Sequence, residues 1–354
     1  MKKIPINYFL TFKLLIMNII KQNVGIDVSK NELAICFTVL LEDLSIRIKG
    51  TRKFKNTLSG FAKLLSWVEN RKDSSLPVSF TLEPTGVYHE NAAYFLNNKN
   101  QRVHIVLTRK AKKYAESLGT NSKTDKLDSK ALGRMGVERN LELWQPGAAV
   151  YRTLKVLTRE RSAIIKVRVM FLNQKEAMTH SAYQNKKSVN RLKHLIKELD
   201  NQINKIEKDI ERVVDQNVEI KERLFKLITI PGVAFLTAIT IIAETDGFAL
   251  IKSIKQIVAY AGLDVKIRES GKWKGKAKIS KAGNVHIRKA LYFPAFSTKK
   301  YSEKYNKFYE RLVQTKGEKM IAAVAVQRKL LGLIYTLWKN NTTYVENYQS
   351  VICR

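Results

Sequence analysis

The sequence predicts a mixed α/β domain followed by a mostly helical remainder, and three observations carry that reading. Between Val24 and about Trp144, short apolar runs alternate with segments of helical spacing. From about 148 to 226 the texture changes to long, charged helices, and from 227 to 335 a third, mostly helical segment is thick with Lys and Arg between 252 and 300. A length of 354 residues, 45% of them apolar, allows two or three domains with a core in each. The boundaries read as 22–146, 147–226 and 227–340, with 341–354 a tail and 1–21 an extension or a mis-assigned start.

Within the first domain, residues 24–29 (VGIDVS) and 33–41 (LAICFTVLL) are consecutive strands about a short polar turn, and a third strand covers about 46–54. Leu58, Phe61, Leu64, Leu65 and Val68 give 58–70 the spacing of an amphipathic helix. Residues 78–83 are a fourth strand, 87–98 a helix, 102–107 a fifth strand, and about 123–138 a helix. The order β-β-β-α-β-α-β-α is that of a ribonuclease-H-like domain. In the second segment Leu192, Ile196, Leu199, Ile203, Ile206, Ile210 and Val213 alternate steps of four and three, a heptad seam of three repeats. It serves either an intramolecular hairpin against 151–178 or a coiled coil between chains.

The charge points to the class of partner. There are 64 Lys+Arg against 31 Asp+Glu, a net charge of +33. Such a surplus repels itself on folding and implies a polyanion, nucleic acid first and anionic membrane second. The two cysteines, Cys36 and Cys353, exclude a disulfide framework and a Cys-rich zinc site, which fits a reducing cytoplasm. The N-terminus (MKKIPINYFLTFKLLIMNII) superficially resembles a signal peptide, but Lys13 interrupts its apolar run, no small-residue cleavage site follows, and Met17 offers a second start. Elsewhere no stretch reads as the ~18 uncharged apolar residues a membrane span needs; residues 235–243 are too short.

Four carboxylates stand at informative places. Asp27 lies in the first apolar strand between Ile26 and Val28; Glu83 ends the fourth strand before Pro84-Thr85-Gly86; Asp125 and Asp128 share one face of the last helix. With the first and fourth strands adjacent at the sheet centre and the helix across their ends, the four converge. Such a cluster repels itself without a counter-ion, and Mg²⁺, with its hard oxygen ligands, is the usual answer. Alone, each is more ordinary as a turn, cap or solvated helix face; the combination carries the signal.

The third segment adds two features. Ile230-Pro231-Gly232, with Thr237-Ala238 beyond, resembles the turn of a helix-hairpin-helix, although Ala234 stands where a second glycine is frequent; a turn between core helices is the plainer reading. Between Lys266 and Lys289 there are nine Lys+Arg against the single acid Glu269. Lys272, Lys274, Lys276 and Lys278 alternate, as on an extended ribbon whose cations track a phosphate backbone. Arg268, Lys281 and Arg288 complete the basic candidates for nucleic-acid contact; a solvated lysine-rich loop is the ordinary alternative.

The segments VGIDVSKNELAICF, LEPTGVYHENAAYFL and KTDKLDSKALGRM resemble the three N-terminal motifs of DEDD-type insertion-sequence transposases, whose first domain is similar to the RuvC junction resolvase. RESG and ISKAGNVHIRKAL resemble that family's second catalytic element, so the resemblance spans roughly 22–340. It implies that Asp27, Glu83, Asp125 and Asp128 bind Mg²⁺ and that Ser270 is the nucleophile of a phosphoserine intermediate. Chemistry alone does not choose between Ser270 and Ser280, since either hydroxyl needs an activating partner; the resemblance chooses Ser270 and assigns Ser280 to nucleic-acid contact or structure. It further implies a bridge RNA pairing with donor and target DNA, dimers assembling into a synaptic tetramer, and a bacterial, cytoplasmic, nucleoid-associated protein with no membrane partner. A metal-only junction resolvase or endonuclease is the alternative. An actin-like kinase is disfavoured, because VSKNE rather than a glycine-rich phosphate loop follows Asp27.

Overall fold

The computed structural model describes residues 18–119, 124–267, 269–271, 273–275 and 278–346. The chain divides into two compact units, one ending at Pro146 and the other beginning at Gly147.

The first unit is built on β1 (Ile19–Val28), β2 (Glu32–Leu41), β3 (Ile46–Lys55), α1 (Leu58–Glu69), β4 (Val78–Leu82), α2 (Glu90–Asn98), β5 (Arg102–Ile105), α3 (Thr108–Ser117) and α4 (Asp125–Glu138). Its sheet has the order β3-β2-β1-β4-β5, with β1 antiparallel to β2, β2 antiparallel to β3, and β4 parallel to both β1 and β5. Three antiparallel strands followed by helix-separated parallel ones is the arrangement the sequence predicts. β1 starts at Ile19 rather than near Val24, because Lys21 and Gln22 continue its ladder with β2 despite their polarity. The helix α3 was not anticipated: its sequence TRKAKKYAES buries only Ala111 and Tyr114, too few apolar positions to register as a periodic face.

One face of β1 presents Val24, Ile26 and Val28 to a core shared with Phe37, Phe61, Leu64, Trp67, Phe80 and Leu96. The other face, residues 23, 25 and 27, lies under α4. Alternation along the strand thus separates a packing face from a chemical face.

The second unit comprises α5 (Ala149–His180), α6 (Lys186–Asp215), α7 (Val218–Leu227), α8 (Phe235–Glu244), α9 (Ile254–Tyr260), four two-residue strands β6 (Val265–Lys266), β7 (Glu269–Ser270), β8 (Trp273–Lys274) and β9 (Lys278–Ile279), then α10 (Val285–Ala290), α11 (Tyr292–Tyr301), α12 (Glu303–Lys316) and α13 (Lys319–Asn340). The ion pairs Arg161–Glu207 and Arg168–Asp200 join α5 to α6 in antiparallel sense. Of the heptad seam, Leu192, Ile196, Ile206 and Ile210 are buried within the chain.

The turn between α7 and α8 is fastened to α11. The Thr298 hydroxyl donates to the Pro231 carbonyl at 2.7 Å, and a Cβ on Gly232 would stand 2.5 Å from the Thr298 amide nitrogen. Among the described residues α13 comes nearest to a membrane span, although Arg328 and Lys329 interrupt its apolar run. By length and composition it is apolar enough to cross one, but half of its apolar window is buried within the unit. It is the core helix against α7, α9, α11 and α12, with Val326, Leu330, Leu331 and Ile334 fully enclosed.

Candidate active site

The carboxylate site begins with glycines. A Cβ on Gly25 would lie 2.1 Å from the Gly133 nitrogen and 2.2 Å from the Ser129 carbonyl oxygen, so α4 runs in backbone contact with β1. Gly136 leaves room for the Asn23 side chain in the same way. Asn23 is fully buried; its Nδ2 donates to the Gly133 carbonyl at 3.2 Å, and its Oδ1 accepts from Ser79 at 2.8 Å and Thr81 at 2.9 Å. One amide therefore bolts β1, β4 and α4 together, with its polar atoms satisfied as burial requires.

That contact carries the acids to one end of the sheet. The β1–β4 register pairs Gly25 with Thr81, so alternation places Asp27 and Glu83 on the same face, one step further along. Thr124 caps α4 by accepting the Leu127 amide at 3.2 Å, which sets Asp125 and Asp128 in the first turn, where the helix dipole favours negative charge. Burial of Asp27, followed by the charges of Asp128, Asp125 and Glu83, pushes its carboxyl up to about 6. The other three predicted carboxylates are thus near enough for their charges to act on Asp27. The donors of the four are all hard oxygens and their excess negative charge needs a cation, so they fit a magnesium-type ion in kind. Among the described residues, no three His, Cys, Asp or Glu side chains form a ligand cluster. The convergence is seen in the charges that Asp128, Asp125 and Glu83 bring to bear on Asp27.

In the second unit, β7 pairs with β8 and β6 with β9, both antiparallel, forming the extended ribbon expected from the alternating lysines. Ser270 lies opposite Trp273, just before Gly271, whose φ of +55° makes the turn. Ser270 is exposed, and Trp273 is 60% exposed beside it. Arg268, Lys272 and Lys276 and the side chain of Lys274 lie outside the described residues; Lys278 is exposed in β9. Ser280 is engaged at the ribbon's base, its hydroxyl donating to the Asp264 carboxylate and accepting the Ala282 amide at 3.3 Å. Lys281 takes a left-handed φ of +50° while its amide donates to the Gly262 carbonyl. The Arg288 guanidinium donates to the Ala261 carbonyl at 2.7 Å and the Gly283 carbonyl at 3.0 Å, tying the two roots of the ribbon.

A buried acid that sequence reading missed stands behind those roots. Glu244, fully buried at the end of α8, receives both Arg159 Nε at 2.7 Å and Nη2 at 2.9 Å, and Asn284 Nδ2 at 2.7 Å, while the Tyr260 hydroxyl donates to its carbonyl at 3.0 Å. Burial works against its ionisation, but the hydrogen bonds and the Arg159 charge prevail and hold it below the usual carboxylate range. Tyr260 and Asn284 bracket the ribbon, so Glu244 fixes both ends to α5. The available signal was an acid closing the apolar run FLTAITIIA.

Comparison with known proteins gives these features a lineage. Residues 24–184 match a family model described as Transposase, of the DEDD type in the IS110 group, and residues 225–310 match one described as Transposase IS116/IS110/IS902 family. The pilin gene-inverting protein of Moraxella bovis is 27% identical over 327 residues, covering 92% of this chain and 98% of the relative. The transposase for insertion sequence element IS1111A of Coxiella burnetii is 27% identical over 149 residues, 41% of this chain and 40% of that one. Thermus thermophilus RuvC in complex with a Holliday junction substrate aligns at a TM-score of 0.24 and 10% identity, over 32% of this chain and 90% of that chain. The chain is a DNA transposase/recombinase enzyme. It belongs to the IS110/IS116/IS902 transposase family, whose two models together cover more than half of its length.

Proposed function

We propose that this enzyme cuts and rejoins DNA strands through two separate groups, the carboxylates Asp27, Glu83, Asp125 and Asp128 and the hydroxyl of Ser270. The observation that carries the reading is the place of Asp27 on the face of β1 that α4 covers in backbone contact, where its half-buried carboxyl also feels the charges of Asp128, Asp125 and Glu83. When bound there, Mg²⁺ supplies charge neutralisation at a phosphodiester and at its leaving oxygen. Asp27 and Glu83 are the ligands held by the sheet, and Asp125 and Asp128 those held by α4.

Ser270 Oγ attacks the phosphorus, the bond to the 3′ oxygen breaks, and the hydroxyl proton leaves to solvent or a base while the 3′ oxygen is protonated. A phosphoserine diester results. The 3′ hydroxyl of a second strand then attacks that phosphorus and releases Ser270, conserving the bond for joining. The ribbon's exposure supports this reading, since a nucleophile there is open to a duplex. Family membership supports a bridge RNA that pairs with donor and target, which leaves backbone contact to Lys272, Lys274, Lys276, Lys278 and their neighbours. The same membership supports dimers and a synaptic tetramer acting in the bacterial cytoplasm at the nucleoid, with the organisation 22–146, 147–226 and 227–340. A relative named for gene inversion supports exchange between two sites of one DNA as well as insertion.

Ser270→Ala tests the chemistry. The expected result is loss of strand exchange and of any covalent protein–DNA species trapped by denaturation, with DNA binding retained. Undiminished joining by that variant would establish hydrolysis and religation without a serine, the metal-only alternative.

A further inference from the structure

The first unit carries a groove that neither the motifs nor the carboxylates account for. It lies between β3 and α1 and encloses about 460 Å³. Arg52, Lys53, Lys55, Lys63 and Arg71 line it, and among the described residues no carboxylate does. Lys53 has an exposed partner outside the groove, Glu32 at 2.9 Å. Two of the cations are set on aromatic rings: the Arg71 guanidinium stands 4.4 Å over Trp67 and donates to the Trp67 carbonyl at 3.1 Å, and Arg52 stands 5.4 Å over Phe54. A stacked guanidinium is held with its N–H edge available for a phosphate.

The opposite wall has its own pattern. Ser59, Lys63, Ser66 and Asn70 follow one another at steps of four, three and four, an exposed polar stripe along α1. Hydroxyl, amide and ammonium groups in a row are the usual donors to phosphate oxygens. β3 is the edge strand of the sheet, and edge lysines also block strand addition. That role explains charge on β3 but gives no reason for the matching stripe on α1.

The groove is connected in register to the carboxylates. β2 pairs Ala34 with Lys53 and β1 pairs Asp27 with Ala34, so Lys53 and Asp27 stand in one row, two strand spacings or about 10 Å apart. Lys53 therefore stands at the lip between groove and carboxylate face.

We propose that the β3–α1 groove binds a nucleic-acid sugar–phosphate backbone and leads it along the sheet edge onto the face of Asp27. The leading role rests on the catalytic reading of the carboxylates; the binding does not. The test is the salt dependence of equilibrium binding by the full chain, with duplex DNA and single-stranded RNA as separate probes. In the triple variant Arg52→Gln/Lys55→Gln/Lys63→Gln, the slope of log K against log salt is expected to fall by about two to three for at least one probe, from ~0.7–0.9 per phosphate contact. The probe affected identifies the strand that occupies the groove. A control triple on the same unit, Lys99→Gln/Lys112→Gln/Lys113→Gln, is expected to change the slope by less than about one, since general charge loss alone releases few bound counterions. Lys55→Arg/Lys63→Arg, which keeps the charge, is expected to leave it unchanged. An unchanged slope with both probes, an equal fall in the control, or a fall in the charge-preserving variant would overturn the assignment. None of these results depends on whether Ser270→Ala still joins strands, so the two readings fail separately.

Discussion

The carboxylate face of the first unit and the serine ribbon of the second solve opposite problems. The acids are placed by backbone contact: α4 touches β1 at Gly25, and Asn23 locks the crossing. Ser270 is carried on an exposed ribbon that is anchored at its roots, through Arg288, Asn284, Tyr260 and Glu244. Like charges must be forced together by something stiffer than themselves, whereas a nucleophile that meets a large substrate must be presented. Rigidity is therefore local to the acids in one unit and remote from the hydroxyl in the other.

The largest expected effect is at the rigid contact. Gly25→Ala would put a methyl group 2.1 Å from a backbone nitrogen, and neither β1 nor α4 has a flexible side chain to yield there. A loss of about 3 kcal/mol in unfolding free energy, measured by denaturant melts, is expected together with loss of strand exchange. Near-normal stability and activity would show that the acids do not depend on that crossing.

Next comes the root of the ribbon. Glu244→Ala removes a buried acid and leaves Arg159 without it; since the Arg159 side chain is 46% exposed, the cost is expected near the lower end for broken buried pairs, about 3 kcal/mol. The charge component has a pH signature. Glu244 titrates below its ordinary value when folded, so the unfolded chain binds more protons in that window and the stabilisation is present above about 4.5. It is lost as pH falls through the folded value. The stability gap between wild type and Glu244→Gln should be full at pH 7 and shrink as the pH is lowered through the carboxylate range. A gap independent of pH would make Glu244 a neutral hydrogen-bond acceptor.

Asp27 has the reverse sign. Its folded value, about 6, lies above the ordinary 3.8, so the folded chain binds more protons between them and stability falls as pH rises through that window. In chelator, the Asp27 contribution, read as the wild-type midpoint relative to Asp27→Asn so that the opposite trend of Glu244 cancels, is expected to drop between pH 4 and 6 by about 2–4 °C, the size of roughly 1 kcal/mol after solvent screening. Mg²⁺ should raise the wild-type midpoint at pH 7 but not the variant's. Equal Mg²⁺ responses would remove Asp27 from ion binding.

The same contrast governs what could be read from sequence. The strands were legible from their apolar runs, and Asp27 because a carboxylate inside such a run violates the pattern around it, whereas Glu83, Asp125 and Asp128 drew attention only through their combined places in the topology. The alternating lysines pointed to extended backbone, which the short pairs β6–β9 and β7–β8 supply, while Lys272 and Lys276 lie outside the described residues. Asn23, Gly25, Gly133 and Gly136 were not, since what selects them is the helix that covers them, and a glycine gives no sign of a neighbour 100 residues away. Glu244 closes an apolar run, and nothing local to it announces Arg159 and Asn284, which come to it from 85 and 40 residues away. The helix α3 hid in a stretch too charged to show a face, and α13 passed unremarked because a core helix and a membrane span share a composition.

The smallest effect expected is at the ribbon's turn. Gly271 has a φ of +55°, as left-handed a backbone as many glycines that tolerate no side chain, but a Cβ there would meet nothing within 4 Å. Gly271→Ala therefore costs only the conformational preference of an alanine in that region, about 1 kcal/mol. Among the described residues of the ribbon, Ile279 alone packs against the unit's apolar core, so this cost should fall on the population of the turn and leave the global melting midpoint within about 1 °C of wild type. Strand exchange should fall by up to about fivefold, the kinetic equivalent of that cost. A large drop in melting midpoint would mean that the ribbon is structural, and the division between a rigid acid site and a presented hydroxyl would be lost.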